Sequence, residues 1–140
     1  MNFLLDTNVV SEWTKPQPNR GVVEWLASAD EDRLFLSVVT LAELRHGVER
    51  LPSGRKKTQL RAWLETDLTT RFEGRIATVD EAVADAWGKL LATADAAGKP
   101  LGAMDGFVAA TAAVHKMALV TRNATHFAAL SLETLNPWTD

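Results

Sequence analysis

The chain has 140 residues, of which 46% are apolar and 24% charged, with a net charge of −3 and no cysteine. This length predicts a single globular domain over residues 1–140. The acidic balance does not indicate a strongly basic nucleic-acid-binding protein, although a local basic patch could still contact phosphates. The missing cysteines exclude disulfides, thiol catalysis and thiolate metal sites, and they fit a cytoplasmic location. No basic leader and no long apolar run is present, so neither a signal peptide nor a membrane span is expected.

The first half of the chain alternates between strand and helix patterns. An apolar run at residues 3–5 predicts a buried strand, and a short helix up to about Trp13 follows, with Thr7 or Asn8 as its expected cap. Helical periodicity at residues 20–29 precedes a second buried strand at residues 33–37. We then expect two helices that form a hairpin, at residues 38–51 and 55–71.

The second half repeats the alternation. A third strand is predicted at residues 76–79, and a helix from Asp80 to Gly98 follows it. The remaining elements are expected at residues 103–116 (helix), 118–121 (strand), 123–130 (short helix) and 133–135 (strand). Strands separated by helices predict an α/β fold with three layers, in which a central parallel sheet of four to five strands carries helices on both faces.

Three acidic residues occupy comparable places in this pattern. Asp6 follows the first strand, Glu43 lies in the first turns of the helix after the second strand, and Asp105 shares a helix face with Val108 and Ala112. Each also has an ordinary structural explanation: Asp6 and Asp105 as helix caps, and Glu43 as an acid that complements a helix dipole. On the packed face, however, a carboxylate such as Asp105 is costly unless it is paired or metal-bound.

The three carboxylates are more informative together than singly. All three fall at the carboxyl ends of strands or in the first turns of helices, which is one edge of a parallel sheet. Hard oxygen ligands without cysteine favour Mg²⁺ or Mn²⁺ over zinc. Such metals support phosphodiester hydrolysis because they activate water and neutralise charge on the attacked phosphate. The pattern therefore indicates a metal site built from Asp6, Glu43 and Asp105.

Several motifs in order along the chain resemble those of the PIN-domain ribonucleases, specifically the toxins of VapBC-type and FitAB-type toxin–antitoxin pairs. The matching segments span nearly the whole chain and lie at residues 4–12 (LLDTNVVSE), 37–47 (SVVTLAELRHG), 105–112 (DGFVAATA), 120–123 (VTRN) and 136–138 (NPW). The resemblance implies a Mg²⁺-dependent endoribonuclease with Asp6, Glu43 and Asp105 as its catalytic and metal-binding acids. It also implies a homodimer that cleaves RNA and is inhibited by a small antitoxin.

The chain departs from that family at one place. Many relatives carry a fourth acid after the last core strand, whereas this chain has Asn123 and His126 there. Asn123 can hydrogen-bond but brings no charge. His126 is either a phosphate contact or an ordinary surface histidine.

Other polar and aromatic side chains are interpreted in two ways. Thr7, Asn8 and Thr121 either orient the carboxylates and bound water or serve as caps and turn residues. The basic side chains of the helical hairpin are either a solvated face or contacts to RNA phosphates. Trp63 is either part of the core or lines a groove for an amphipathic partner helix.

Two other functions compete with the ribonuclease. A binding module for RNA or protein would keep the fold with a weakened site, and the missing acid at Asn123 supports it. A phosphatase with Asp6 as covalent nucleophile would want a second aspartate two residues later, where this chain has Asn8. Metal titration with a cleavage assay distinguishes the ribonuclease from the binding module.

Overall fold

A computed structural model describes all 140 residues and contains one five-stranded sheet. All neighbouring strands are parallel, and their order across the sheet is β3-β2-β1-β4-β5. The strands are β1 (Phe3–Leu5), β2 (Leu34–Ser37), β3 (Ile76–Ala77), β4 (Ala118–Val120) and β5 (Thr134–Leu135). The first apolar run of the sequence therefore forms the central strand of the sheet.

Helices connect the strands and cover both faces of the sheet. The α-helices are α1 (Thr7–Val10), α2 (Arg20–Ser28), α3 (Val38–Glu49), α4 (Arg55–Ala62), α5 (Thr69–Arg71), α6 (Glu81–Ala96) and α7 (Ala103–His115). Shorter 3₁₀ turns lie at Ser11–Thr14, Glu31–Arg33 and Ala124–Phe127, and a π-helical segment, Trp63–Leu68, joins α4 to α5. None of these helices is long and apolar enough to cross a membrane.

Side-chain alternation along the central strands divides the interior into two apolar clusters. Leu5 and Val120 pack into one cluster with side chains of α1, α2 and the π-helical segment. Leu4 and Leu119 point the other way and pack with side chains of α6 and α7. Because successive strand residues face opposite sides of a sheet, both faces are buried. The predicted three-layer α/β fold is confirmed.

Several element boundaries differ from those expected. The third strand ends at Ala77 rather than Val79, because it is an edge strand that pairs only with the end of β2. The helix expected at residues 123–130 is a single 3₁₀ turn, Ala124–Phe127. The long hairpin helix contains the π-helical segment, which apolar spacing could not reveal since Leu64 and Leu68 remain buried in it.

Candidate active site

Asp6 lies at the carboxyl end of the central strand and begins the next helix. Its backbone N–H donates to the Val120 carbonyl at 2.9 Å, which continues the pairing of β1 with β4. Its Oδ1 accepts from the Thr7 N–H at 2.8 Å and caps α1. The expectation that Thr7 or Asn8 caps this helix is therefore wrong: the acid itself is the cap, because its short side chain reaches the first free N–H. Asp6 is only 4% exposed.

Thr121, which follows β4, and Asn8 of α1 hold the second carboxylate oxygen of Asp6. The fully buried Thr121 donates its hydroxyl to Oδ2 at 2.7 Å. Asn8 approaches both groups, with its Nδ2 at 3.4 Å from Asp6 Oδ2 and 3.4 Å from Thr121 Oγ1. Its Oδ1 accepts from the Arg122 N–H at 3.1 Å. Two of the polar residues singled out in the sequence, Asn8 and Thr121, thus connect the ends of β1 and β4 around Asp6.

The surroundings raise the pKa of Asp6 above its ordinary value. Burial is the main cause, and the negative charges of Asp105 and Glu43 add to it, while the hydrogen bonds from Thr121 and Thr7 act in the opposite direction. Asp105 and Glu43 therefore lie close enough to Asp6 for their charges to be felt. None of these three carboxylates forms an ion pair with a basic side chain of the chain.

Glu43 belongs to the second turn of α3 and is tied to the first helix. Thr7 donates its hydroxyl to Glu43 Oε1 at 2.6 Å and lies 3.4 Å from the hydroxyl of the buried Thr40. Thr40 was not expected from the sequence; its place one turn before Glu43 on the same helix is the only signal that could have found it. Thr7 is thus a bridge between α1 and the Glu43 carboxylate.

Asp105 is the third residue of α7 and is half-buried. Its carboxylate makes no hydrogen bond to the rest of the chain and borders a cleft that also contains His126. Asn123 is exposed, and its backbone N–H donates to Thr121 Oγ1 at 3.1 Å. The structure therefore brings Asp6, Glu43 and Asp105 to one edge of the sheet. Asn123 is connected to Asp6 only through the Thr121 hydroxyl.

The donor chemistry of this edge suits a hard divalent cation. Three carboxylates with no basic partner repel one another, and a bound cation would relieve that repulsion. No three carboxyl or imidazole groups stand close enough together to enclose one ion with side chains alone. Mg²⁺ does not require such a cage, since it commonly keeps several waters and takes only one or two carboxylates. The residues present therefore fit Mg²⁺, or Mn²⁺, better than zinc.

Comparison with known proteins identifies the class of this fold. The family model described as PIN domain matches residues 3–131. The chain therefore belongs to the PIN domain family, which confirms the resemblance carried by the sequence motifs.

Particular members of the family are similar over almost the whole chain. The toxin FitB of Neisseria gonorrhoeae is 44% identical over 138 residues, which are 99% of each protein. The VapC ribonuclease Y4jK of Sinorhizobium fredii is 37% identical over 136 residues, or 97% of each. The crystal structure of FitAcB from Neisseria gonorrhoeae contains a chain that superposes with a TM-score of 0.93 at 43% identity, covering 99% of both chains.

Proposed function

We propose that this protein is a metal-dependent endoribonuclease and the toxin of a type II toxin–antitoxin pair. One observation carries the proposal: Asp6 is buried beside two further acids at the sheet edge, and no basic side chain of the chain neutralises them. The similarity to a protein named VapC ribonuclease and to one named toxin FitB supports it. We further propose that residues 1–140 act as one PIN domain.

The reaction would divide between the bound metal and the side chains around it. Asp6, Asp105 and Glu43 would hold Mg²⁺, which supplies an activated water and neutralises charge on the attacked RNA phosphate. Thr121 and Asn8 fix the Asp6 carboxylate in one orientation, and Thr7 does the same for Glu43. Such groups behind the ligands usually affect metal affinity strongly because they orient the ligand oxygens.

A groove beside the acidic centre supports the proposed antitoxin partner. It has a volume of about 640 Å³ and lies between the first 3₁₀ turn and the α3–α4 pair, and its apolar lining consists of Trp13, Leu51, Leu60 and Trp63. A smaller cleft of about 200 Å³ shares Leu60 and Trp63 and reaches Thr7 and Glu43. An amphipathic antitoxin segment in this groove could extend a basic side chain to the carboxylates, where a guanidinium would compete with the metal. We also propose that the toxin forms a homodimer.

The test is RNA cleavage by purified variants with and without Mg²⁺. Asp6→Asn, Glu43→Gln and Asp105→Asn should each abolish metal-dependent cleavage while the circular dichroism spectrum stays that of the wild type. Asp67→Asn is the matched control, because the Asp67 side chain is exposed and lies on the π-helical segment, outside the acidic centre. Full activity of the Asp105→Asn protein would contradict the assignment.

The same experiment tests a second function, an RNA- or protein-binding module with a weakened site. The uncharged Asn123 and the absence of a closed three-group cage favour it. In that case the wild type would bind RNA or antitoxin but would cleave no RNA at any Mg²⁺ or Mn²⁺ concentration.

A further inference from the structure

A second cleft opens beside the acidic centre and shares no lining residue with the antitoxin groove. Its volume is about 550 Å³, within the range of small-ligand sites. Asp105 belongs both to this cleft and to the acidic centre, and the remaining lining residues come from the α6–α7 loop and the last 3₁₀ turn. Only one of the lining residues, Leu101, is hydrophobic. With a single hydrophobic side chain in its lining, the cleft lacks the apolar stripe that would receive a partner helix.

Lys99 and His126 line this cleft and come from two segments that are far apart in the sequence. Lys99 and Pro100 come from the loop after α6, whereas Thr125 and His126 come from the 3₁₀ turn after β4. Lys99 and His126 are exposed, and neither forms an ion pair or a side-chain hydrogen bond within the chain. Many basic side chains elsewhere are paired, such as Arg71 with Glu31 and Lys89 with Asp85. The cleft therefore offers the Lys99 ammonium group and two further hydrogen-bond donors, the His126 imidazole and the Thr125 hydroxyl, to an anionic ligand.

The arrangement of charge points to the identity of that ligand. The cleft is negatively charged where Asp105 meets the proposed metal site and positively charged at Lys99. A free anion would be attracted by Lys99 but repelled by Asp105, since no basic side chain of the chain neutralises that carboxylate. A polyanion that extends through both regions avoids this conflict, because the proposed metal would hold one phosphate while Lys99 and His126 contact the next.

We propose that this cleft is the subsite for the RNA nucleotide next to the cleaved bond, with Lys99 and His126 contacting its phosphate. This rests on the proposed ribonuclease function. Leu101 and Pro100 provide the apolar edge for the sugar or base, and Thr125 a hydrogen-bonding hydroxyl. Neither Lys99 nor His126 takes part in the chemical step: both position the strand, so their removal should weaken substrate binding without slowing bond cleavage.

The experiment compares Lys99→Gln and His126→Gln with two control variants, Lys116→Gln and His115→Gln. The controls remove the same groups at the far end of α7, where His115 is the last helical residue and Lys116 the C-cap; ten residues of helix place His115 about 15 Å from Asp105. Binding of a fluorescein-labelled single-stranded RNA of mixed sequence is measured by anisotropy with Mg²⁺ present, on an RNA whose phosphorothioate linkages resist cleavage. Cleavage of the same sequence with ordinary phosphates is then measured under the same conditions.

Each cleft variant should raise Kd and KM about two- to fivefold with kcat unchanged, a size typical of one exposed ion pair for Lys99 and of one hydrogen bond for His126. Lys99→Gln should also reduce the slope of log Kd against log salt by about 0.7, as expected for one lost phosphate contact on a single strand. The control variants should match the wild type.

Three results would contradict the proposed RNA subsite. Each differs from failure of the ribonuclease proposal, in which the wild type would cleave no RNA. Cleft variants that cleave and bind like their controls would exclude an RNA contact. Equal competition by a mononucleotide and by the RNA would identify a small-anion site instead. Loss of antitoxin affinity with unchanged RNA affinity would assign the cleft to the protein partner.

Discussion

Replacing Thr121 by valine tests whether the Asp6 carboxylate is held, in its charged form, by the neighbouring strand. Valine keeps the shape of threonine but removes the hydroxyl that donates to Asp6 Oδ2 at 2.7 Å. Thr121 is fully buried, so water cannot replace the lost donor. Thr121→Ser is the matched control, because serine keeps the hydroxyl and loses only a methyl group.

The magnitude follows from the charge on the acceptor. A hydrogen bond to a charged group contributes about 1.5–3 kcal/mol, so Thr121→Val should lower Tm by about 5–12 °C for a chain of this size. Thr121→Ser should cost about 1 kcal/mol from the lost methyl group. Because Thr121 lowers the pKa of Asp6 and burial raises it, the valine variant should have an Asp6 pKa higher still.

The sign of the pH dependence follows. When folding raises the pKa of a carboxyl group, the unfolded chain releases the proton at a lower pH than the folded chain does. The free energy of unfolding therefore falls as the pH rises from the unfolded-state pKa through the folded-state pKa. The deficit of Thr121→Val should therefore be small in acid, where Asp6 is protonated in both proteins, and largest at neutral pH. Urea unfolding of both variants across this range measures it. An equal deficit at acidic and neutral pH, or a valine variant as stable as the serine variant, would refute the reasoning.

Other changes probe the helices, the groove and the missing acid. Gly106→Val should lower the free energy of unfolding by about 2–3 kcal/mol, because a Cβ there would lie 2.4 Å from Leu91 Cδ1 and 2.9 Å from Trp87 Nε1. In urea unfolding the control Gly88→Ala, with no atom within 4 Å of its Cβ, should gain up to about 1 kcal/mol. Trp63→Ala should weaken antitoxin binding about tenfold or more in calorimetry; equal affinity would exclude the indole from the interface. Asn123→Asp should tighten the binding of a second Mg²⁺ by adding a fourth negative charge; two equally tight sites in the wild type would contradict this.

The central part of the fold follows directly from local sequence. The apolar runs that form β1 and β2 are buried on both faces, so their composition alone identifies them, and the acid that ends β1 marks the sheet edge. Edge strands are harder to delimit: β3 pairs along one side only, and its last expected residues, Thr78 and Val79, have no partner to hold them in the sheet.

The surroundings of the carboxylates depend on contacts between distant parts of the chain. The Thr7–Glu43 hydrogen bond spans 36 positions, and the Thr121–Asp6 bond spans 115. Sequence reasoning could select these residue types but not their partners. Lys99 gave no signal at all, because its place beside Asp105 depends on how the α6–α7 loop meets the last 3₁₀ turn.

Two buried acids of this chain show how the surroundings separate a structural carboxylate from one suited to bind a cation. Glu12 is also buried, and burial opposes its ionisation, yet its pKa is lowered because Lys15 and the Asn19 N–H stabilise its charge. Asp6 has hydrogen-bond donors but no positive partner, and its pKa is raised. If capping α1 were its only role, asparagine would serve as well and would avoid the cost of a buried charge. An uncompensated carboxylate between two further acids is therefore better explained by a cation that the chain itself does not supply.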